Sequence, residues 1–275
     1  MSEQFSDTIY SFHQGFEKAV FCAPGEFKEE NFLTFLESVL ASGLSHDLKK
    51  DLMGYFLVMC ALVKNDSLHV MLRPEFQDYV SALSCDAASE TALAAAIKQN
   101  NLAAAETLLT HPPFQNNHDL DILDGNILYE VLEKSDGNLQ KCLPVWRALC
   151  AHNPPPPFGS VWRAVSFLTS SDTWKNSKEA EEMLASVPEK AWPQTVYNLA
   201  TVGRFASIER CLPFLSPNMF GVVSVKIERF LKNSNNAPHS KEGQAVQSIR
   251  SALSKREISD ALLDLGGKTP PVRKM

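Results

Sequence analysis

Side-chain catalysis needs a nucleophile and a base brought together, and two pairs in this sequence offer them: Cys22 with His13, and Cys150 with His152. Pairs of this kind are assembled by the fold, and neither lies in a local pattern that marks a catalytic thiol. The chain contains no G-x-S-x-G, no H-E-x-x-H, no dinucleotide fingerprint and no glycine-rich phosphate loop. The six cysteines, Cys22, Cys60, Cys85, Cys142, Cys150 and Cys211, are scattered without a C-x-x-C pair. In a chain of 275 residues that spacing argues against a disulfide framework and for a reducing, cytoplasmic setting, with each thiol a small buried apolar group. Cys150 with His152 lacks the second ligand pair that structural zinc needs, so neither a metal nor a cofactor is expected. Glu179, Glu181 and Glu182 stand before Met183 and Leu184 and read as the solvated face of an amphipathic helix.

Recognition is better represented than catalysis. Three turn-rich segments run from His111 to Asp121, from His152 to Ser160 and from Val187 to Gln194, and each carries an aromatic residue: Phe114, Phe158 and Trp192. Aromatic side chains in exposed loops give large contact area at low entropy cost and anchor protein partners. Tyr129, Trp162 and Tyr197 lie on the helices behind those loops, and His118 and Asn126 complete the candidate partner-binding set. Trp162 and Tyr197 also fit ordinary core positions between helices. The run Pro154 to Pro157 favours polyproline II; it fits a stiff connector and, alternatively, a ligand for an aromatic-lined groove.

The elements that hold these residues are helices throughout. A 44% hydrophobic content with only 12 glycines can fill a sizeable core. The net charge of -6 disfavours nucleic acid and anionic membranes, which need a basic surface, and the longest apolar stretch, Tyr55 to Val63, is too short to span a bilayer. Residues 1–86 read as a bundle of four amphipathic helices, with apolar side chains recurring at three- and four-residue steps, as in Phe32, Phe35, Leu36, Val39 and Leu40. The third, from His46 to about Val63, is apolar around most of its circumference and belongs at the centre of the bundle. Ser45 is placed to cap it, Asp66 or Ser67 to cap the next, and Ser89 to start the helix beyond the junction at Asp86.

From residue 87 to residue 216 the chain repeats. Thr91 to Leu109 matches Gln194 to Leu212 at a shift of 103, pairing Ala96 with Leu199, Asn100 with Gly203, Leu102 with Phe205 and Leu109 with Leu212. Leu93, Leu128, Trp162 and Val196 mark equivalent first-helix positions at spacings of 35, 34 and 34, with extra residues at Ser135 to Asn138 and a longer connection from Thr169 to Ser177. Thr91, Leu93, Ala95, Ala96, Asn100, Asn101, Leu102, Leu108, Leu109 and His111 together resemble the frame of the ankyrin-repeat family, although Ala92 and Ala94 stand where its Pro and His would be. That resemblance implies an all-α chain in which the N-terminal bundle leads into an ankyrin-like α-solenoid of paired helices, closed by capping helices over residues 217–266 and followed by a tail, 267–275. It also implies a non-enzymatic scaffold or adaptor that binds another protein through its concave side and loop tips. Divergent repeats joined to an unfamiliar helical domain are further similar to translocated effectors of intracellular bacteria, which implies secretion into a host cell and a host protein as partner. An enzyme whose N-terminal domain acts on a substrate recruited by the repeats, and a purely structural oligomerisation element, are the other readings.

Overall fold

The computed structural model describes residues 3–21, 26–85, 90–174 and 177–216, with scattered positions between 219 and 255. Cys22, Ser89, the junction 86–89, most of 217–266 and the tail 267–275 therefore lie outside the described residues. The described residues are helical and carry no strand; Cys85 and Thr91 form an isolated bridge. None of the described helices is long and apolar enough to cross a membrane. The chain divides into two compact units, Met1–Pro155 and Pro156–Met275, with the boundary inside the proline run.

The first unit holds α1 (Glu3–Val20), α2 (Glu29–Ala41), α3 (His46–Leu62), α4 (Ser67–Met71), α5 (Ala92–Lys98), α6 (Leu102–Thr110), α7 (Ile127–Glu133) and α8 (Leu139–Ala151). α3 is central: Leu52, Met53, Phe56, Leu57, Val58, Cys60 and Ala61 are all buried, and α3 packs against α4, α5 and α6. Ser45 caps it, its hydroxyl accepting from the Leu48 amide at 3.3 Å. At α4 the cap differs from expectation, because Asn65 and not Asp66 accepts from the Ser67 amide, at 3.0 Å. Phe16 of α1 stacks on Phe56 at 4.7 Å while Phe35 of α2 meets Phe56 edge-on at 5.4 Å. Gly15 permits that approach, since a Cβ there would lie 2.8 Å from the Phe35 ring.

Next come two helix pairs, α5 with α6 and α7 with α8, in which α5 touches α7 and α6 touches α8. The alanines of α5, buried on all sides, let it seat closely on α3.

The second unit holds α9 (Phe158–Ser170), α10 (Lys178–Ala185), α11 (Trp192–Thr201) and α12 (Phe205–Cys211). α9 packs against both α11 and α12. Ser177 caps α10, and Met183 and Leu184 are buried beneath its acidic face. The Ser177 hydroxyl donates to Glu179 at 2.8 Å and holds that carboxyl below its ordinary pKa.

The internal correspondence is visible residue by residue. The Asn101 amide donates to the Ala96 carbonyl at 2.9 Å and the Asn100 amide to Ile97 at 3.0 Å; 103 residues later the Arg204 amide donates to Leu199 at 2.8 Å and the Gly203 amide to Ala200 at 3.1 Å. Asn100 at φ 56° and Gly203 at φ 72° supply the left-handed residue that such a helix end requires. Four helices, α5, α7, α9 and α11, bury the same four positions: Ala92, Leu93, Ala96 and Ile97; Ile127, Leu128, Val131 and Leu132; Ser160, Val161, Ala164 and Val165; Thr195, Val196, Leu199 and Ala200. In the third helix the inward marker is thus Val161 and not Trp162, and the spacings become 35, 33 and 35.

Candidate functional site

With Val161 facing inward, Trp162 moves to the outward position of α9. The residue following each inward marker is Ala94, Tyr129, Trp162 and Tyr197, and the three aromatic rings are half-buried while Ala94 is covered. Sequence spacing had placed Trp162 alongside Leu128 and Val196; the connections on either side are one residue shorter and one longer than that alignment assumes. Arg163 and Asn198 occupy the next outward positions on α9 and α11, and Phe158 stands one turn before Trp162 with 48% of its surface exposed. Because α9 and α11 pack together, Trp162 and Tyr197 stand at equivalent outward positions of neighbouring helices. Lys226 lies 5.8 Å from the centre of the Tyr197 ring and donates to Gln194 at 2.7 Å, holding that end of the face in place.

Three residues expected to reach a partner do not present their side chains to solvent. Phe114 and Trp192 are each only 2% exposed and His118 is 5% exposed. Phe114 is turned inward because its loop folds back on itself: the Phe114 and Gln115 amides both donate to the His111 carbonyl at 2.9 Å, and His111 and His118 meet the Phe114 ring edge-on at 5.0 and 6.1 Å. Trp192 is not in a loop at all, since a 3-10 turn, Glu189–Ala191, runs directly into α11 and sets the indole at its buried base. Asn126 and Tyr129, at the start of α7, are half-buried.

Around His118 the structure assembles a polar layer that sequence spacing does not announce. His118 Nε2 lies 3.0 Å from the Leu108 carbonyl, and His152 Nδ1 lies 2.7 Å from that of Pro154. The two ring centres are 6.2 Å apart, and the Asn153 amide donates to Asn116 Oδ1 at 2.8 Å, joining the loop after α6 to the turn after α8. Burial lowers the pKa of His118, against the Leu108 carbonyl that raises it, while the neighbouring His152 lowers it further and the Ala82 carbonyl raises it. Three of the seven histidines, His111, His118 and His152, meet around this layer, and their clustering within 42 positions is the only trace of it in the sequence.

Asn101 is a second residue whose role only the fold reveals. Its side-chain amide donates to the Ala61 and Val63 carbonyls at 2.9 and 3.0 Å, while its oxygen accepts from the Ala104 amide at 3.4 Å. One buried side chain therefore caps the start of α6 and completes the end of α3.

The surface of the first unit carries open grooves. One of about 420 Å³ runs along Asn65, His69, Asn101 and Thr107; one of about 390 Å³ lies between α6 and α8, along Glu106, Asn116, Arg147 and His152; one of about 400 Å³ lies beside Asp51, Tyr79 and Cys85. Cys85 is exposed, contrary to the expectation that every thiol is buried, whereas Cys60, Cys142 and Cys211 are buried and poorly suited to covalent chemistry. Burial pushes Cys60 and Cys211 up to about 12 and Cys142 up to about 11, so each is a protonated thiol at neutral pH and not the thiolate a nucleophile requires. His152 of the Cys150 pair is engaged with a backbone carbonyl, and His13 lies 3.2 Å from the Tyr55 hydroxyl. Among the described residues no cluster of three or more His, Cys, Asp or Glu is arranged to hold a metal ion. Comparison with protein-family models, with curated proteins and with solved structures finds no match to this chain.

Proposed function

We propose that this chain is a non-enzymatic interaction protein, an ankyrin-like scaffold or adaptor that binds another protein through the outward face of α9 and α11. The observation that carries this reading is a half-buried aromatic ring at one register position of both helices, Trp162 and Tyr197, the position that Tyr129 holds on α7 of the first unit. The four inward positions of each helix hold the core, and a ring kept partly in water forgoes part of the roughly 1.5–3 kcal/mol that full burial of a large side chain supplies. Partly exposed Trp and Tyr beside Arg163 and Asn198 match the composition of protein-binding hot spots, in which aromatic residues and arginine dominate. The likeness to translocated effectors makes a host protein the favoured partner, with action in the cytoplasm of a host cell.

The test is affinity capture by the full chain compared with a Trp162→Ala, Tyr197→Ala double variant whose melting temperature is checked first. The double variant is expected to lose at least about tenfold of the partner recovered by the parent, since two anchor truncations typically cost more than about 1.4 kcal/mol. Equal recovery from two equally stable proteins would remove the outward face as the binding surface.

A further inference from the structure

Charge sets the outward face of α9 and α11 apart from the chain as a whole. The net charge is -6, yet of the 32 aspartates and glutamates none lies on α9 or α11. The matching helix of the first unit, α7, carries Glu130 and Glu133. What α9 presents instead is Arg163, which is exposed and directly follows Trp162. A second cation stands beside α11: Lys226 is half-buried, 5.8 Å from the centre of the Tyr197 ring, and donates to Gln194 at 2.7 Å. Neither that ring nor that amide carries a net charge, and among the described residues no carboxylate pairs with Lys226.

The other outward residues of the two helices are neutral, with Ser166 on α9 and Asn198 and Thr201 on α11. The carboxylates nearest in sequence stand in the adjoining turns, Asp172 after α9 and Glu189 before α11, and Glu189 already accepts from the Ser216 hydroxyl. The face therefore combines two cations with the rings of Trp162 and Tyr197 on a chain that is acidic overall.

Resting on the reading of this face as the binding surface, we infer that its partner offers an acidic peptide segment, with apolar side chains interspersed among the carboxylates. The carboxylates meet Arg163 and Lys226, the guanidinium through paired N–H donors and the ammonium as a point charge. The apolar groups cover Trp162 and Tyr197. Complementary charge fixes the register of such a segment and directs it here, because the net negative charge of the rest of the chain repels it elsewhere. An extended polyanion such as nucleic acid fits less well, since its phosphates continue beyond the face into that repulsion.

Fluorescence anisotropy on the full chain tests this, with short labelled peptides of repeated Glu-Leu-Ser, Gln-Leu-Ser or Lys-Leu-Ser and a labelled oligothymidine as probes. The Glu peptide is expected to bind at least about fivefold more tightly than the Gln peptide at low salt. That advantage should shrink as salt rises from about 0.01 to about 0.3 M, and vanish in an Arg163→Gln, Lys226→Gln double variant of unchanged melting temperature. Should that variant not fold, the salt dependence of the parent decides. Equal or tighter binding of the Gln peptide, the Lys peptide or oligothymidine would overturn the proposal. So would a Glu advantage that persists in the double variant or at high salt, or no binding of the Glu peptide at about 1 mM. A Trp162→Ala, Tyr197→Ala variant separates this inference from the reading beneath it. A Gln or Lys peptide that binds the parent and not this variant refutes the acidic partner and keeps the face; peptides that bind both proteins equally refute the face itself.

Discussion

The α5–α6 pair of the first unit and the α11–α12 pair of the second share a turn down to its individual hydrogen bonds, yet their surroundings have little in common. At α5 every residue from Ala92 to Ile97 is buried, whereas α11 keeps Gln194, Tyr197, Asn198 and Thr201 toward solvent. Asn101 caps α6 and grips α3; Arg204, its counterpart, is exposed and makes no side-chain cap. A local motif therefore sets the backbone path of a helix pair, and neighbouring helices set which of its faces remain available. Alanine suits the outward position of α5, which is covered, and aromatic residues suit the same position where it is open.

Substitutions can break this contrast in order of size. Trp192→Ala removes a buried indole from the base of α11 and is expected to destabilise the chain by about 3–5 kcal/mol in chemical denaturation, with the first loss of amide protection in α9 and α11. Asn101→Ala should cost about 2–4 kcal/mol, because it strands the Ala61 and Val63 carbonyls and uncaps α6; Arg204→Ala at the matching position should change stability by less than about 0.5 kcal/mol. Equal effects at 101 and 204 would mean that the two turns are held alike, contrary to the contacts seen. Gly203→Ala places a Cβ on a left-handed residue and is expected to lower stability by about 1–2 kcal/mol, while Gly203→Asn, which restores the residue type used at position 100, should cost less than the alanine change. Phe158→Ala is the smallest, under about 0.5 kcal/mol in the same unfolding measurement, since nearly half of that ring is already in solvent.

Much of the helical framework could be read from residue order. The encircling apolar pattern of α3, the Ser45 cap and the 103-residue correspondence rest on local periodicity and backbone need, and those are properties of short segments. What could not be read depended on how a loop closes. Phe114 and Trp192 stand among prolines and polar residues, which suggests exposure, but the His111 carbonyl draws one loop back over its phenyl ring and a 3-10 turn delivers the indole into the helix base. The register at Trp162 is hidden in the sequence because a pattern spaced by 34 and 34 differs from one spaced by 33 and 35 by a single residue, and on a helix one residue is 100° of rotation. The bonds from Asn101 to Ala61 and Val63 join residues 40 and 38 positions apart, a separation across which periodicity carries no information.

That last pair of bonds bears on how the chain is made. The carbonyls that end α3 find their partner in a residue synthesised some 40 positions later. At about 5–20 residues per second, α3 waits roughly 2–8 s after its own completion before Asn101 is joined to the chain. During that interval the Ala61 and Val63 carbonyls lack their side-chain partner, and the apolar surface of α3 destined for α5 and α6 has no cover from them. The helix at the centre of the finished unit thus waits for a later part of the chain, and the arrival of the α5–α6 turn covers part of its apolar side and completes its open end together.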